Sequence, residues 1–460
     1  PSPLAGEGRR GGWLPKATFR LLLALLVAPL LAVQAYAIDI QRVVSPGGIE
    51  AWLVEDHTNP IVALEVGFRG GSASEPAGKE GLAQLATDLL TEGAGDLDSQ
   101  AFQKRLSDLS ISLYFSASRD SLQAGFRTLT DNRDTAFELM HLALTEPRFD
   151  AEPVERARSQ MLVGLKRELE RPGSIASRAF WRSAFPQHPY GSPPSGTPQS
   201  VAGLTVADME EFIDRRFARN NLLIGVVGDI TPAELGEQLD ALFEGLPERA
   251  NVPEVAEAKP DFAGDLMVID RNIPQSTVLF GQPGVKRSDP DFFAVSILGE
   301  VIGGGFGSRL TEEIREKRGL AYSVYAGLAP LDHAALLVGN VGTANARVSE
   351  SLDLVRQEWA KLAAEGPSAE EVADAKAYLT GSYWLGLENS SRIAGTLVAI
   401  QREDLGIDYL DKRASLIDAV TMDDLKRVAK NLFDAKALTF VVVGKPAGVT
   451  PTKPAPGQDS

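Results

Sequence analysis

The segment Thr205–Phe217, TVADMEEFIDRRF, followed by Asn221–Gly228, NLLIGVVG, aligns without a gap on Thr421–Phe433, TMDDLKRVAKNLF, followed by Ala437–Gly444, ALTFVVVG, at a constant offset of 216 residues. Each copy reads as a Thr-capped amphipathic helix leading into a continuous apolar run closed by glycine, the pattern of a buried strand. A chain that repeats itself at half its length folds as two like halves. Looser echoes agree. The strand Ile61–Phe68 precedes one helix and Ser276–Gly281 precedes another at Asp291–Ile302, while the alternating hairpin Ser112–Ser118 and Leu122–Arg127 echoes Tyr322–Ala326 and Ala334–Gly339. The predicted class is α+β in two homologous two-layer halves, each a mainly antiparallel sheet covered by helices.

At 460 residues the chain is too long for one core. The Pro/Glu/Ala-rich stretch 247–260 is the natural linker, which predicts a first half over 38–246 and a second over 261–445, with a Pro-rich disordered tail over 446–460. Residues 1–37 read as a signal peptide: Arg9, Arg10, Lys16 and Arg20 precede the apolar run Leu21–Val33, and Ala35-Tyr36-Ala37 offers a small-x-small cleavage site. Thirteen apolar residues fall short of the roughly 20 that span a bilayer, so no stable membrane insertion is expected once the leader is cut. With no cysteine anywhere, the leader predicts a bacterial periplasmic or secreted protein. Its removal takes away four basic residues and one acidic one, so the formal charge of −16 becomes −19. That balance excludes nucleic acid as a partner, since phosphate backbones are bound through surplus Lys and Arg.

In the first half, the stretch Gly78–Gly95, GKEGLAQLATDLLTEGAG, predicts a helix whose face Leu82, Leu85, Ala86 and Leu89 is buried. The stripe opposite carries Gln84, Thr87 and Asp88. A metal-binding helix of the His-x-x-Glu-His type would place its histidine ligands at 84 and 88 and its catalytic glutamate at 87. Gln, Thr and Asp do not supply the imidazoles and general base that catalytic zinc requires.

The frame around these positions, preceded by Gly70-Gly71-Ser72-Ala73-Ser74-Glu75, resembles the catalytic helix of the pitrilysin/insulinase family of zinc peptidases, which includes the mitochondrial processing peptidases. The resemblance implies two halves closing like a clam around a peptide chamber. It also implies a further glutamate ligand 76 residues beyond the second histidine, and there this chain has Gly164. All four metal-site positions are substituted, and no catalytic zinc is expected in this chain.

The second half keeps what the first has lost. The segment Gly303–Tyr325, GGGFGSRLTEEIREKRGLAYSVY, looks like the family's C-terminal signature, in which an arginine, here Arg315, precedes by seven residues a tyrosine, here Tyr322. In the family the arginine holds a substrate carbonyl and the tyrosine hydroxyl meets the tetrahedral oxyanion. Taken alone, Glu312–Arg318 also reads as a solvated helix face with Glu313 and Lys317 paired at i,i+4, and Tyr322 as a half-buried strand residue. The glycines at 303–305 predict the end of a helix.

Other chemistry finds no pattern. His57, His141, His188 and His333 are scattered; Glu138 and His141 share an i,i+3 spacing that a surface pair explains, and His188 reads as structural or substrate-adjacent. There is no Gly-x-Ser-x-Gly elbow. Two functions follow from the resemblance. In the first, this chain is the non-zinc subunit of a heterodimer, lending Arg315 and Tyr322 to a homologous zinc-bearing partner that cleaves extended peptides. In the second, it is an inactive assembly or peptide-binding protein of the same shape.

Overall fold

Thr205 and Thr421, the first residues of the two copies of the repeat, do the same work in the computed structural model, which describes residues 38–456. Each hydroxyl accepts the backbone N–H three residues on, at 3.2 Å from Asp208 and 3.1 Å from Asp424, and each of those aspartates accepts the threonine's own N–H in return. This reciprocal cap satisfies two donors that a helix start leaves open. The helices so started, Val206–Asp214 and Met422–Leu432, lead to the strands Leu222–Gly228 and Thr439–Gly444.

The strands in chain order are β1 (Gln41–Val44), β2 (Glu50–Glu55), β3 (Ile61–Arg69), a short hairpin β4 (Gly93–Ala94) and β5 (Leu97–Asp98), β6 (Ser112–Ala117), β7 (Ser121–Leu129), β8 (Leu222–Gly228), β9 (Leu266–Asp270), β10 (Gln275–Pro283), β11 (Ala321–Pro330), β12 (Ala335–Ala344) and β13 (Thr439–Gly444). One sheet has the order β1-β2-β8-β3-β7-β6 and the other β11-β12-β10-β13-β9. Apart from β1, which has no counterpart, the five remaining strands of the first sheet correspond to the five of the second, down to a single parallel pair in the same place in each, β2 with β8 and β9 with β13. All other pairings within these two sheets are antiparallel.

The helices that matter below are α1 (Leu82–Leu89), α2 (Ala151–Glu168), α3 (Pro172–Ala184), α4 (Val206–Asp214), α5 (Ala369–Leu385), α6 (Ser390–Arg402) and α7 (Met422–Leu432). On one face of the first sheet, Leu64, Phe68, Phe126 and Ile224 build a core with Leu85 of α1 and Phe212 of α4. On the matching face of the second, Phe280, Phe440 and Val442 do so with Trp359 and with Leu425 of α7.

The two halves exchange helices across their remaining faces. Helix α3, from the first half, lies on the second sheet, where Phe180 and Ala176 join Met267, Val441 and Val443 in a third core. Helix α6, from the second half, lies on β8 and β3 of the first sheet. Gly225 on β8 permits this, because a Cβ there would meet the Ala394 carbonyl at 2.3 Å. The Gln401 side chain donates to Ile224 O at 2.9 Å and accepts from Ile224 N at 3.3 Å. The exchange explains the unbroken apolar run of β13: Phe440 and Val442 face their own half's helices while Val441 and Val443 face the borrowed one, so both surfaces are buried.

Three expectations are corrected. The helix predicted over 78–95 is confined to Leu82–Leu89, because Gly81 takes a left-handed conformation (φ 93°) before it and Gly93 enters the short hairpin after it. The tail, expected to be disordered from 446, is ordered through 456. Leu266 N donates to the Thr452 hydroxyl at 2.8 Å and Thr452 N to Leu266 O at 2.8 Å, so the segment covers the backbone of edge strand β9. The helix before the triple glycine does not end at Ile302 but loosens into a π-helical turn, Glu300–Gly304. The expected signal peptide lies outside the described residues, and among these no helix is long and apolar enough to cross a membrane.

Candidate functional site

Helix α1 has no side-chain cap of its own, and its open N–H groups are met from a distance. Glu75 accepts from Gly81 N at 3.2 Å and from Ala83 N at 2.7 Å. The loop carrying Glu75 is held by Arg216, 1% exposed, whose guanidinium donates to Gly70 O, Phe212 O, Ser74 O and the Ser74 hydroxyl at 2.6–3.0 Å. Desolvation pushes the Glu75 carboxyl up to about 8, against the pull of the two N–H groups and of nearby Arg216, and the same burial lowers the Arg216 guanidinium to about 9. The loop and the helix start are thus built with care around a helix whose metal positions are empty of ligands.

Those positions are engaged with one another. Gln84 Nε2 donates to Asp88 Oδ1 at 2.7 Å, and Thr87, buried, donates its hydroxyl to Ala83 O at 2.8 Å. The Asp88 carboxyl is raised above the usual range by desolvation, partly offset by the Gln84 amide. Gly164 lies on α2, the helix packed against α1, and a Cβ there would meet nothing within 4 Å. So the fourth position faces open space. Of the four residues, one carboxylate has donor chemistry for a transition metal, and it is already hydrogen-bonded. This set does not fit zinc. Among the described residues no group of three or more His, Cys, Asp or Glu side chains is arranged to hold a metal ion.

Arg315 and Tyr322 both sit on irregular backbone. Arg315 belongs to a π-helical turn, Thr311–Glu316, where its guanidinium lies 5.2 Å from the Phe306 ring centre and 3.4 Å from Glu316. Tyr322 is the extra residue of a β-bulge: Ala321 pairs with Thr343 and Ser323 with Gly342, leaving no partner for the residue between. A bulge re-aims the side chain it carries, and Tyr322 is 74% exposed, not half-buried. The turn is pinned by Arg309, which bridges both Glu371 oxygens on α5 at 2.6 and 2.9 Å. The Glu313–Lys317 pair forms at 2.7 Å, as expected for a solvated face. No hydrogen bond or ion pair joins Arg315 or Tyr322 to Gln84 or Asp88 among the described residues.

The histidine rings meet separate partners, His333 lying 3.5 Å from Glu257. His188 accepts from Tyr190 N at 3.2 Å and its other ring nitrogen meets Ala256 O at 2.9 Å, anchoring the linker. His57 bridges Glu55 and Asp229, and Glu138 pairs with Arg105, while His141 meets Leu242 O. Glu65 escaped the reading of the sequence. It is 6% exposed in the middle of β3 and accepts a hydrogen bond from the Tyr114 hydroxyl. Its signal was present as a carboxylate inside the apolar run Ile61–Phe68.

Comparison with known proteins is consistent with this geometry. A family model described as "Insulinase (Peptidase family M16)" matches residues 51–197, and one described as "Peptidase M16 inactive domain" matches 203–379. A "non-peptidase homolog" of Helicobacter pylori is 26% identical over 92% of this chain and 98% of its own length. An "uncharacterized zinc protease" of Streptomyces coelicolor is 27% identical over 69% of this chain and 70% of its own. Among solved structures, a peptidase M16 inactive domain from Pseudomonas fluorescens superposes with a TM-score of 0.82 at 27% identity, covering 90% of this chain and all of that one. With two models of one family together spanning more than half of its length, and the metal-binding frame present without its ligands, the chain belongs to peptidase family M16 as an inactive-type member.

Proposed function

We propose that this chain is the metal-free subunit of a two-chain peptidase, paired with a homologous subunit that holds the zinc, in the bacterial periplasm after loss of residues 1–37. The observation that carries the reading is an asymmetry. The metal positions are filled by Gln84, Thr87 and Asp88, all three tied up in local hydrogen bonds, and by the bare Gly164, while Arg315 and Tyr322 are kept on a π-turn and a bulge that present them outward. A phenol and a guanidinium are strong donors, and donors aimed at developing negative charge can lower a barrier by about 3–4 kcal/mol. In the pair, Tyr322 donates to the oxyanion and Arg315 holds a substrate carbonyl. The free edge of β6 offers a place for an extended peptide to add as a strand.

The test is a native pull-down of the tagged mature chain from the periplasm of its source, with the eluate assayed on a quenched peptide with and without chelator. Chelator-sensitive cleavage that needs a co-eluting homologue, and that falls about tenfold to a thousandfold with Tyr322→Phe, supports the shared site. A stable complex that never cleaves peptides turns the reading to the assembly role, which the inactive-domain match also accommodates.

A further inference from the structure

Strands β3, β7 and β6 set Glu65, Gly125 and Tyr114 in one cross-strand row, on the face of the first sheet covered by α6. Glu65 touches the Tyr114 hydroxyl, and among the described residues no cation pairs with it. It opens on a cavity of about 230 Å³, walled also by Gln123, Arg392 and Val398. A second cavity, of about 490 Å³, shares Gln123, Arg392 and Gly395 with the first and continues to Tyr383, Tyr409 and Arg287. Arg287 lies over the Phe292 ring at 4.2 Å and donates to the Tyr409 hydroxyl at 3.0 Å, and it forms no ion pair with a described carboxylate. The other charges on these walls are already matched, Arg392 with Glu388 at 3.5 Å and Glu403 with Arg402 at 3.3 Å. Two unmatched groups of opposite sign therefore face two adjoining cavities that share part of their walls.

We propose that these two adjoining cavities together bind a short peptide with both termini free, its ammonium group at Glu65 and its carboxylate at Arg287. A carboxyl buried without a cation is costly when charged, and an arriving ammonium turns that cost into attraction. A guanidinium held by stacking is pre-organised to grip a carboxylate through two N–H groups. The tyrosine walls supply sequence-tolerant apolar contact, and the larger cavity alone is in the range of roughly 300–1,000 Å³ typical of small-ligand sites. Burial pushes the Glu65 carboxyl up to about 7, so capture of an ammonium near pH 6.5 expels a proton. The inference goes beyond the peptidase-subunit reading. A demand for two free termini rejects a segment inside a longer chain, so this site takes small peptides of the size of cleavage products rather than substrates.

The test is calorimetric titration of the isolated mature chain with tetra-alanine, N-acetyl-tetra-alanine and tetra-alanine amide at pH 6.5, in two buffers of different ionisation enthalpy. The free peptide binds, each cap weakens binding at least tenfold, and binding releases protons. Glu65→Gln removes the penalty for acetylation and the proton release; Arg287→Gln removes the penalty for amidation. Equal affinity for free and capped peptides overturns the proposal, as does the absence of saturable binding by any alanine peptide of two to five residues. Should a variant fail to fold, the cap dependence and proton release of the wild-type chain decide the matter alone. The titration uses no partner and reads no cleavage, so its failure leaves the shared-site peptidase standing, and the reverse.

Discussion

Glu65 and Tyr114 stand two strands apart and touch because Gly125, on the strand between them, has no side chain. A Cβ at 125 would lie 2.6 Å from Glu65 Oε2. The carboxyl occupies the room that any other residue would take, and a polar pair is thereby built into an otherwise apolar sheet.

Gly125→Ala is therefore expected to destabilise the chain by about 1–3 kcal/mol through overpacking, measured by urea unfolding. Adding Glu65→Ala frees the same space. The double variant is expected to be no less stable than Glu65→Ala alone, and strictly additive losses would refute the contact.

The pH dependence follows from Glu65. Its folded carboxyl sits at about 7, above the ordinary value of about 4.3, so the fold favours the protonated form. That contribution is complete below the unfolded value and is lost as pH rises through 7. Melting temperature is expected to fall more steeply between pH 5 and pH 8 for the wild type than for Glu65→Gln. Glu75, raised to about 8, adds a loss of the same sign in both chains. Parallel curves for the two proteins would contradict this account.

Tyr322 and Arg309 lie in the same signature yet differ in what they support. Tyr322 protrudes from a bulge, so Tyr322→Phe should change unfolding free energy by no more than about 0.5 kcal/mol. Arg309 is largely buried and paired with Glu371. Arg309→Leu leaves that carboxylate without its partner and is expected to cost about 2–4 kcal/mol. A stability loss of that size for Tyr322→Phe would mean that the residue is a packing element and not a presented donor.

The metal frame offers a test by restoration. Gln84 and Asp88 already converge on one side of α1, and position 164 on the neighbouring helix has space for a side chain. The combination Gln84→His, Asp88→His and Gly164→Glu is expected to bind about one equivalent of zinc by metal analysis after dialysis, with three protein ligands of the kind catalytic sites use. The wild-type chain should bind none. Failure of the triple variant, with its fold intact by circular dichroism, would show that the helices have drifted from the ligand geometry.

Much of this was legible in the residues themselves. The 216-residue repeat predicted two like halves, since local caps and apolar runs are written in consecutive residues, and Thr205 and Thr421 form the same cap. The loss of ligands at 84, 87, 88 and 164 was equally plain, because side-chain chemistry needs no fold to be read. Tertiary structure decided what depends on distant segments meeting. It set α3 on the second sheet and α6 on the first, ordered the tail against β9, turned Tyr322 outward through a one-residue slip against β12, and brought Glu65 to Tyr114 over Gly125. Periodicity along a chain reports which face of a strand is apolar. Only the packed strands determine which neighbour lies across that face, and therefore which charges are left without a partner.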